Sequence, residues 1–201
     1  MEKAVVIIGV GALGSHVALL ARNWKNSLKI IDFDRIETKN TQAQFHSRMG
    51  LGKNKAQALQ QALQGLFGVK IDAVPHKLVD DNVGTLLGDS AGTKLGKAAL
   101  VIDCTDNAAA RRVIQKHVRK HNIPCLHGAL SADGTFGRII WDEHFVADEE
   151  GKEGQATCED GEQLPMFALA GAQIAVTAQR FLKDGTRQSF QVMPTGIVRL
   201  T

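Results

Sequence analysis

The chain has 201 residues, of which 44% are hydrophobic, and a formal net charge of +3 at pH 7. This length and composition suit one domain with a substantial core, so we expect residues 1–201 to form a single domain. Three cysteines without paired spacing argue against a disulfide framework and against a structural zinc site. No apolar run is long enough to span a bilayer, and no leader-like segment precedes the first apolar run. We therefore expect a cytoplasmic protein without a membrane anchor.

Charge is unevenly distributed along the chain. Nine of the 21 acidic residues fall within residues 142–162, where Lys152 is the only basic residue. The rest of the chain has 23 basic and 12 acidic residues, which favours an anionic ligand, although a solvated basic surface would give the same count. No Arg/Lys cluster is interleaved with aromatic residues, so we expect no nucleic-acid partner.

Apolar runs and helical spacing alternate along the first two thirds of the chain. Residues 4–8 form an apolar run that ends at Gly9, as a strand buried on both faces does. The spacing then predicts a helix over residues 13–22 and a second strand over residues 28–33, which completes a β-α-β unit. The polar stretch at residues 39–52 is expected to be a loop. Further strands are expected at residues 69–74, 98–103, 124–130 and 135–141, and further helices at residues 55–66, 80–87 and 107–121.

The composition changes after residue 141. Residues 142–163 are acidic, and we expect them to form a mobile surface loop. Residues 167–182 predict a strongly apolar helix, and residues 188–193 and 197–200 predict a closing antiparallel hairpin. The predicted fold class is therefore α/β, with a Rossmann-like, mostly parallel sheet that has helices on both faces and ends in this hairpin.

A glycine-rich turn follows the first predicted strand and opens the first helix. Gly9, Gly11 and Gly14 have the spacing at which the first glycine allows a tight turn, the second a close approach of backbone, and the third helix-sheet packing. Backbone N–H groups at the start of the helix would then face a phosphate or a ribose. This motif fits dinucleotide-dependent reductases as well as adenylating enzymes.

Polar residues after the second strand help to distinguish between these two classes of enzyme. A dinucleotide-binding protein typically carries one acidic residue at this strand end. This chain instead has Asp32 and Asp34, followed by Asn40 and Gln44. Downstream come a Gly-x-x-Lys helix start and an Asp-Cys-Thr-Asp-Asn strand end. In order and spacing these motifs resemble the ThiF/MoeB family, which is related to the activating enzymes of ubiquitin-like proteins. The resemblance extends from Val5 to about residue 130.

The resemblance implies roles for the acidic pair and for the lysine in holding ATP. Asp32, with Asp34 beside it, would accept hydrogen bonds from the ribose hydroxyls, unless it serves only as a turn cap. Lys55 would neutralise a phosphate as a point charge. Lys53 is a competing neighbour, and an ordinary solvated lysine is the alternative for either position.

The resemblance also implies a metal site and two further nucleotide contacts. Asp106 would hold magnesium and Asn107 would orient the nucleotide, although both residues are also suited to capping the helix that follows. Asn40 and Gln44 match the polar loop that reaches the phosphates in the family.

The implied activity is ATP-dependent adenylation of a protein or peptide C-terminus. The carboxylate of a ubiquitin-like or sulfur-carrier protein ending in Gly-Gly would attack the α-phosphate, giving an acyl adenylate and pyrophosphate. Because every reacting group is anionic, the site must supply cations and a metal. The resemblance also implies a homodimer.

Two departures from the family pattern leave alternatives open. The family arginine of the polar loop falls at Ala43, and we expect the arginine that family members donate from helices upstream of the first strand to be missing as well. Arg35, Arg48 or a partner chain would have to substitute. The alternatives are a catalytically weakened nucleotide-binding module, a related enzyme that dehydrates a modified tRNA base, and, with less support, an NAD(P)-dependent reductase.

One cysteine and one histidine are further candidates. Cys158 aligns with the cysteine that some family members link covalently to the carrier, but Glu159 and Asp160 would raise its pKa and disfavour the thiolate. Cys158 is therefore a candidate nucleophile, with an inert surface thiol as the alternative. His127 falls near the carboxyl end of a predicted strand, where open α/β sheets line their ligand crevice.

Overall fold

The computed structural model describes residues 3–88, 97–146 and 161–200. Its first half is built from strand-helix units, and its first two strands are buried on both faces. The elements of this half are β1 (Val5–Ile8), α1 (Ala12–Ala21), β2 (Leu28–Ile31), α2 (Asn40–Ala43), a 3-10 turn (Arg48–Gly50), α3 (Lys55–Phe67), β3 (Asp72–Val74) and α4 (Val83–Leu87).

The second half continues the same alternation and then turns antiparallel. Its elements are β4 (Leu100–Asp103), α5 (Ala108–His121), β5 (Cys125–Leu130), β6 (Gly137–Trp141), a 3-10 turn (Asp142–His144), α6 (Leu164–Asp184), β7 (Ser189–Met193) and β8 (Gly196–Leu200).

All eight strands belong to one sheet in the order β3-β2-β1-β4-β5-β6-β7-β8. The first five in that order are parallel, and β6, β7 and β8 add in antiparallel fashion. The chain builds outward from β1 to β3 and then crosses to β4 on the other side of β1. The glycine turn therefore lies at the point where the strand order reverses, which is where open α/β sheets bind their ligands. The predicted fold class is confirmed.

Helices cover both faces of the sheet and bury an apolar layer on each. On one face α1, α3 and α6 pack over a cluster that includes Ile7, Leu59 and Ile174. On the other face α4 and α5 pack over Val101 and Ile114. None of the described helices is long and apolar enough to cross a membrane.

Several predicted boundaries are wrong. The stretch predicted as a loop at residues 39–52 contains α2 and a 3-10 turn, since a helix of four residues is too short to show a helical period. The helix predicted from residue 80 begins at Val83 after Asn82, whose side chain accepts a hydrogen bond from the Val79 N–H. The acidic segment begins in packed structure, because Asp142 is buried. Residues 147–160, the main part of the predicted mobile loop, lie outside the described residues.

Candidate functional site

The glycine turn is shaped by close contacts that leave no room for side chains at two of its three glycines. Gly9 has a φ of +79°, and an added Cβ would lie 2.9 Å from the Cys104 carbonyl oxygen. A Cβ on Gly14 would lie 1.8 Å from the Gly9 carbonyl oxygen. At Gly11 the nearest atom is 3.8 Å away, on the Gln44 side chain. The middle glycine therefore has room for a methyl group in ordinary contact with Gln44, unlike the two glycines on either side of it.

The Asp32 carboxylate anchors the glycine turn to the end of β2. Its two oxygens accept hydrogen bonds from the backbone N–H groups of Val10, at 2.8 Å, and Asp34, at 2.9 Å. Burial raises the pKa of Asp32, and the nearby Lys55 charge and the two N–H groups oppose that rise. Each carboxylate oxygen has a second lone pair. Asp32 thus has acceptor capacity left for a ligand hydroxyl.

Lys55 is the first residue of α3 and lies largely buried beside the acidic pair. Its ammonium nitrogen is 3.2 Å from the Asp34 carboxylate, and only 11% of its side chain is exposed. Asn54 caps α3 and donates from its amide to the Asp32 carbonyl at 2.8 Å. By contrast, Lys53 is exposed. The fold therefore places Lys55, rather than Lys53, next to Asp34.

The polar loop meets the glycine turn through Gln44. The Gln44 Oε1 atom is buried and has no hydrogen-bond partner in the part of the chain that the structure describes. Asn40 is buried at the start of α2 and accepts a hydrogen bond from the Glu37 N–H at 2.9 Å. Ala43 is fully buried against Ala12 and Phe167. The position at which the family carries an arginine is thus part of an apolar contact.

His46 is a residue of this site that the sequence analysis did not identify. Its Nε2 atom donates to the Val10 carbonyl oxygen at 2.8 Å, which ties the polar loop to the glycine turn. Burial lowers the pKa of His46 to about 4, with the Lys55 and His16 charges adding to the effect. The imidazole is therefore neutral near pH 7. The feature of the sequence that could have identified His46 is its position two residues after Gln44.

Asp106 and Asn107 follow β4 at the same edge of the sheet. Asn107 caps α5 by accepting a hydrogen bond from the Ala110 N–H at 2.9 Å. Asp106 is exposed, and no described residue bonds to its carboxylate. The capping interpretation therefore holds for Asn107, and the Asp106 carboxylate stays available to a ligand.

His127 lies at the centre of a buried ionic network between β4 and β6. Its Nδ1 atom is 2.8 Å from an Asp103 carboxylate oxygen, and its Nε2 atom is 3.0 Å from an Asp142 carboxylate oxygen. The ring stacks on Phe145 with a centroid distance of 4.0 Å. Arg119 donates to the second Asp142 oxygen at 2.8 Å. The network joins the strand that precedes Asp106 to the turn that opens the acidic segment.

The pKa values within this network favour the charged forms. Burial by itself would lower the pKa of His127, but its hydrogen bonds to the Asp103 and Asp142 carboxylates raise it well above its ordinary value. Burial likewise works against the ionised carboxyls, yet the pKa values of Asp103 and Asp142 are lowered by their bonds to His127. Burial also raises the pKa of Cys125, so its thiol is neutral and we ascribe the histidine shift to the carboxylates.

Two of the three cysteines lie within the described ranges. Cys125 is buried and Cys104 is half-buried, and burial raises the pKa of both thiols, which fits core residues. Cys158 lies among residues that the structure does not describe. Within the described ranges, no group of three or more His, Cys, Asp or Glu side chains is arranged to hold a metal ion.

The chain matches one family model over nearly its whole length. The model is that of the ThiF family, and the match covers residues 1–192. The chain is 30% identical to the molybdopterin-synthase adenylyltransferase of Escherichia coli K12 over 190 residues, which are 90% of this chain and 73% of that protein. It is also 30% identical to ubiquitin-like modifier-activating enzyme 5 of Drosophila willistoni over 145 residues, 69% of this chain and 36% of that protein.

Solved structures share the fold at low sequence identity. The complex of E. coli MccB with AMPCPP and selenomethionine MccA superposes with a TM-score of 0.77 at 14% identity, covering 99% of this chain and 63% of that one. The E. coli tRNA N6-threonylcarbamoyladenosine dehydratase TcdA gives 0.66 at 16% identity, covering 92% and 88%. The chain thus spans about a third of the length of the activating-enzyme relatives that it matches.

Proposed function

Because the chain belongs to the ThiF family, we propose that it binds ATP and magnesium and adenylates the C-terminal carboxylate of a small carrier protein or peptide. The proposed partner is ubiquitin-like and ends in Gly-Gly, and the proposed assembly is a homodimer. The observation that carries the proposal is the meeting of the Asp34–Lys55 pair, the glycine turn and the unbonded Asp106 carboxylate at one edge of the sheet.

The nucleotide part of the proposal rests on unused hydrogen-bonding capacity. The first turn of α1 has no side-chain cap, so its N–H groups are available to a phosphate. Gly11 is not crowded by any atom closer than 3.8 Å, and the buried Gln44 Oε1 beside it lacks a partner within the described residues. A buried polar atom without a partner is costly unless a ligand or water satisfies it. Asp32 has lone pairs for the ribose hydroxyls.

The magnesium part of the proposal rests on Asp106. Magnesium is usually held by one or two carboxylates together with substrate phosphates and water, and does not need a cage of protein ligands. A single exposed carboxylate beside the glycine turn fits that pattern. Bound there, magnesium would neutralise charge on the phosphates.

In the proposed reaction one carboxylate oxygen of the carrier attacks the α-phosphorus. The bond from that phosphorus to the oxygen bridging the α- and β-phosphates breaks, and pyrophosphate leaves. In this proposal the Lys55 ammonium group, which lies beside Asp34, offsets the negative charge that builds on the phosphates during this step. The positive charges near the phosphates determine the rate, because the attacking and leaving groups are both anionic.

The names of similar proteins support the choice of acceptor. One relative is a molybdopterin-synthase adenylyltransferase, and others are ubiquitin-like modifier-activating enzymes. MccB, which shares the fold, has been solved in complex with MccA and AMPCPP. A protein or peptide acceptor is therefore a better first candidate than the modified tRNA base of TcdA.

A second candidate function is nucleotide binding without turnover. The observation that favours it is the environment of Ala43, the position at which the family carries an arginine. Ala43 is buried against Ala12 and Phe167, so an apolar contact takes the place of a cation. Loss of such an arginine costs roughly three or more powers of ten in the rate of comparable phosphoryl transfers.

The test is ATP-pyrophosphate exchange with magnesium and a panel of Gly-Gly-terminated carriers, run beside direct binding of ATP and of NAD(P). Asp106→Ala is the control variant. Carrier-dependent exchange that Asp106→Ala abolishes supports the adenylating enzyme. ATP binding without exchange favours the second candidate, and NAD(P) binding without ATP binding contradicts both.

The proposed role of Cys158 has a separate test. If its thiol takes the carrier from the acyl adenylate, then a thioester forms between sulfur and the carrier carboxyl carbon, and AMP leaves. Cys158→Ala would then retain ATP-pyrophosphate exchange but form no thiol-sensitive carrier adduct on a denaturing gel. An adduct that survives in Cys158→Ala would contradict the role.

A further inference from the structure

The buried Asp103–His127–Asp142 network has no role in the reaction proposed above. The His127 side chain is fully buried, and both of its ring nitrogens lie within hydrogen-bonding distance of carboxylate oxygens. An ionised carboxylate can only accept hydrogen bonds. Both ring nitrogens must therefore donate, which a neutral imidazole cannot do. With Asp103 and Asp142 ionised, the geometry corresponds to an imidazolium between two carboxylates.

Two further side chains hold the Asp142 carboxylate that faces this imidazolium. Arg119 donates to the second Asp142 oxygen at 2.8 Å, and Gln115 reaches the first at 3.2 Å. Removing one member of a buried ionic group leaves the others uncompensated. The charge of His127 therefore helps to hold both the Asp103 and the Asp142 carboxylates in place.

Asp103 transmits this constraint to the nucleotide edge. Its Oδ1 atom accepts hydrogen bonds from the Thr105 backbone N–H at 2.9 Å and from the Thr105 hydroxyl at 2.7 Å. Arg111 donates to the Thr105 carbonyl from the other side and to the Gly128 carbonyl at 2.9 Å. Thr105 directly precedes Asp106. The backbone that carries the proposed magnesium ligand is thus held by both Asp103 and Arg111, whereas the Asp106 carboxylate bonds to no described residue.

We infer that His127 is a positioning residue: held as an imidazolium between Asp103 and Asp142, it fixes the backbone that presents Asp106 to magnesium and nucleotide. This inference rests on the proposed function of Asp106. It assigns His127 no contact with the substrate, and it links the nucleotide edge to the Asp142–His144 turn.

The protonation of His127 is testable without any ligand. A ¹⁵N NMR spectrum of the histidine side chains at neutral pH is expected to show one histidine with protons on both ring nitrogens, and its signal is expected to vanish in His127→Gln. A neutral His127 ring in the wild-type protein would overturn the inference. This measurement stands whether or not the protein binds ATP.

The positioning role is tested by measuring the dissociation constant of ATP with magnesium and with EDTA. In His127→Gln we expect the constant with magnesium to rise roughly 10-fold, as it does when a residue supporting a metal ligand is removed, while the constant in EDTA stays close to wild type. Asp142→Asn should show a smaller change in the same direction. Val192→Ala, a core variant on β7, controls for general destabilisation and should shift both constants by less than about 2-fold.

The outcomes separate this inference from the proposed function. Wild-type protein that binds no ATP contradicts the proposed function, while the NMR result still decides the state of His127. Wild-type protein that gains affinity with magnesium, together with a His127→Gln variant that gains as much, overturns the positioning role. If His127→Gln does not fold, Asp142→Asn and the spectrum of the wild type carry the test.

Discussion

The Lys55 ammonium lies 3.2 Å from the Asp34 carboxylate, and 11% of the Lys55 side chain is exposed against 50% of the Asp34 side chain. A cation is thus fixed at the start of α3 with a single, half-exposed partner. Because Asp34 can turn toward solvent, Lys55 can exchange this partner for an incoming phosphate at little cost in free energy. The Asp34–Lys55 pair therefore positions the Lys55 ammonium group and leaves it able to bind a phosphate.

Replacing Lys55 with methionine should abolish most of the proposed activity. Removal of one preorganised charge-stabilising donor typically lowers kcat by on the order of 100-fold or more. The measurement is carrier-dependent ATP-pyrophosphate exchange. Lys53→Met is the matched control, because Lys53 is exposed and close in sequence, and its rate should stay near wild type. Equal losses in the two variants would argue for a general effect of positive charge.

The stability of the protein should depend on pH through His127. The pKa of His127 is raised to about 11, so the folded chain holds this proton more tightly than the unfolded chain does. The resulting stabilisation is complete below about pH 6.5 and is lost as the pH rises toward the folded-state pKa. Urea unfolding of wild type and His127→Gln should differ by about 3 kcal/mol near neutral pH, and by less near pH 10.

A comparison with His76→Gln isolates this effect. His76 is exposed, so its replacement should leave the dependence of unfolding free energy on pH unchanged. The difference between wild type and His127→Gln cancels the titration of groups that do not interact with His127. A difference that stays constant from about pH 6 to about pH 10 would show that His127 is not charged in the folded state.

The fold and the ends of the parallel strands could be predicted because each has a local signature. Apolar runs mark β1, β2 and β4, and the polar residues that follow them must meet at one edge of a parallel sheet. In the structure β2 and β4 both pair in parallel with β1, so Asp32 and Asp106 follow strands that end at one edge of the sheet. Their roles toward ATP and magnesium stay predictions.

What the sequence could not reveal depends on contacts between distant segments. His46 bonds to Val10 across 36 positions, and Asp142 bonds to His127 from a segment whose acidic composition indicated a surface loop. No local pattern distinguishes a buried aspartate with three partners from a solvated one. The burial of Ala43 depends on Phe167, a residue of α6, and is equally invisible in the loop's own sequence.

The three glycines should respond differently to alanine. Gly14→Ala would place a Cβ 1.8 Å from the Gly9 carbonyl oxygen, so we expect it to destabilise the fold strongly or to prevent folding. Gly11→Ala meets nothing closer than 3.8 Å and should cost less than about 1 kcal/mol in unfolding free energy. It should nevertheless weaken ATP binding, because the added methyl occupies the approach to the turn. Unchanged ATP affinity in Gly11→Ala would place the nucleotide elsewhere.

Restoring the family arginine by Ala43→Arg should not raise the activity. Ala43 is fully buried against Ala12 and Phe167, and a guanidinium there would have no charged partner among the described residues and no path to water. Overpacking of this kind costs about 1–3 kcal/mol, and burying an unpaired charge adds to it. We therefore expect a lower melting temperature and no gain in carrier-dependent exchange. Ala43→Leu is the control, since it adds volume without charge and should destabilise less. An increase in exchange in Ala43→Arg would mean that α2 turns the introduced guanidinium outward to a phosphate at small cost, and that the missing arginine alone limits turnover.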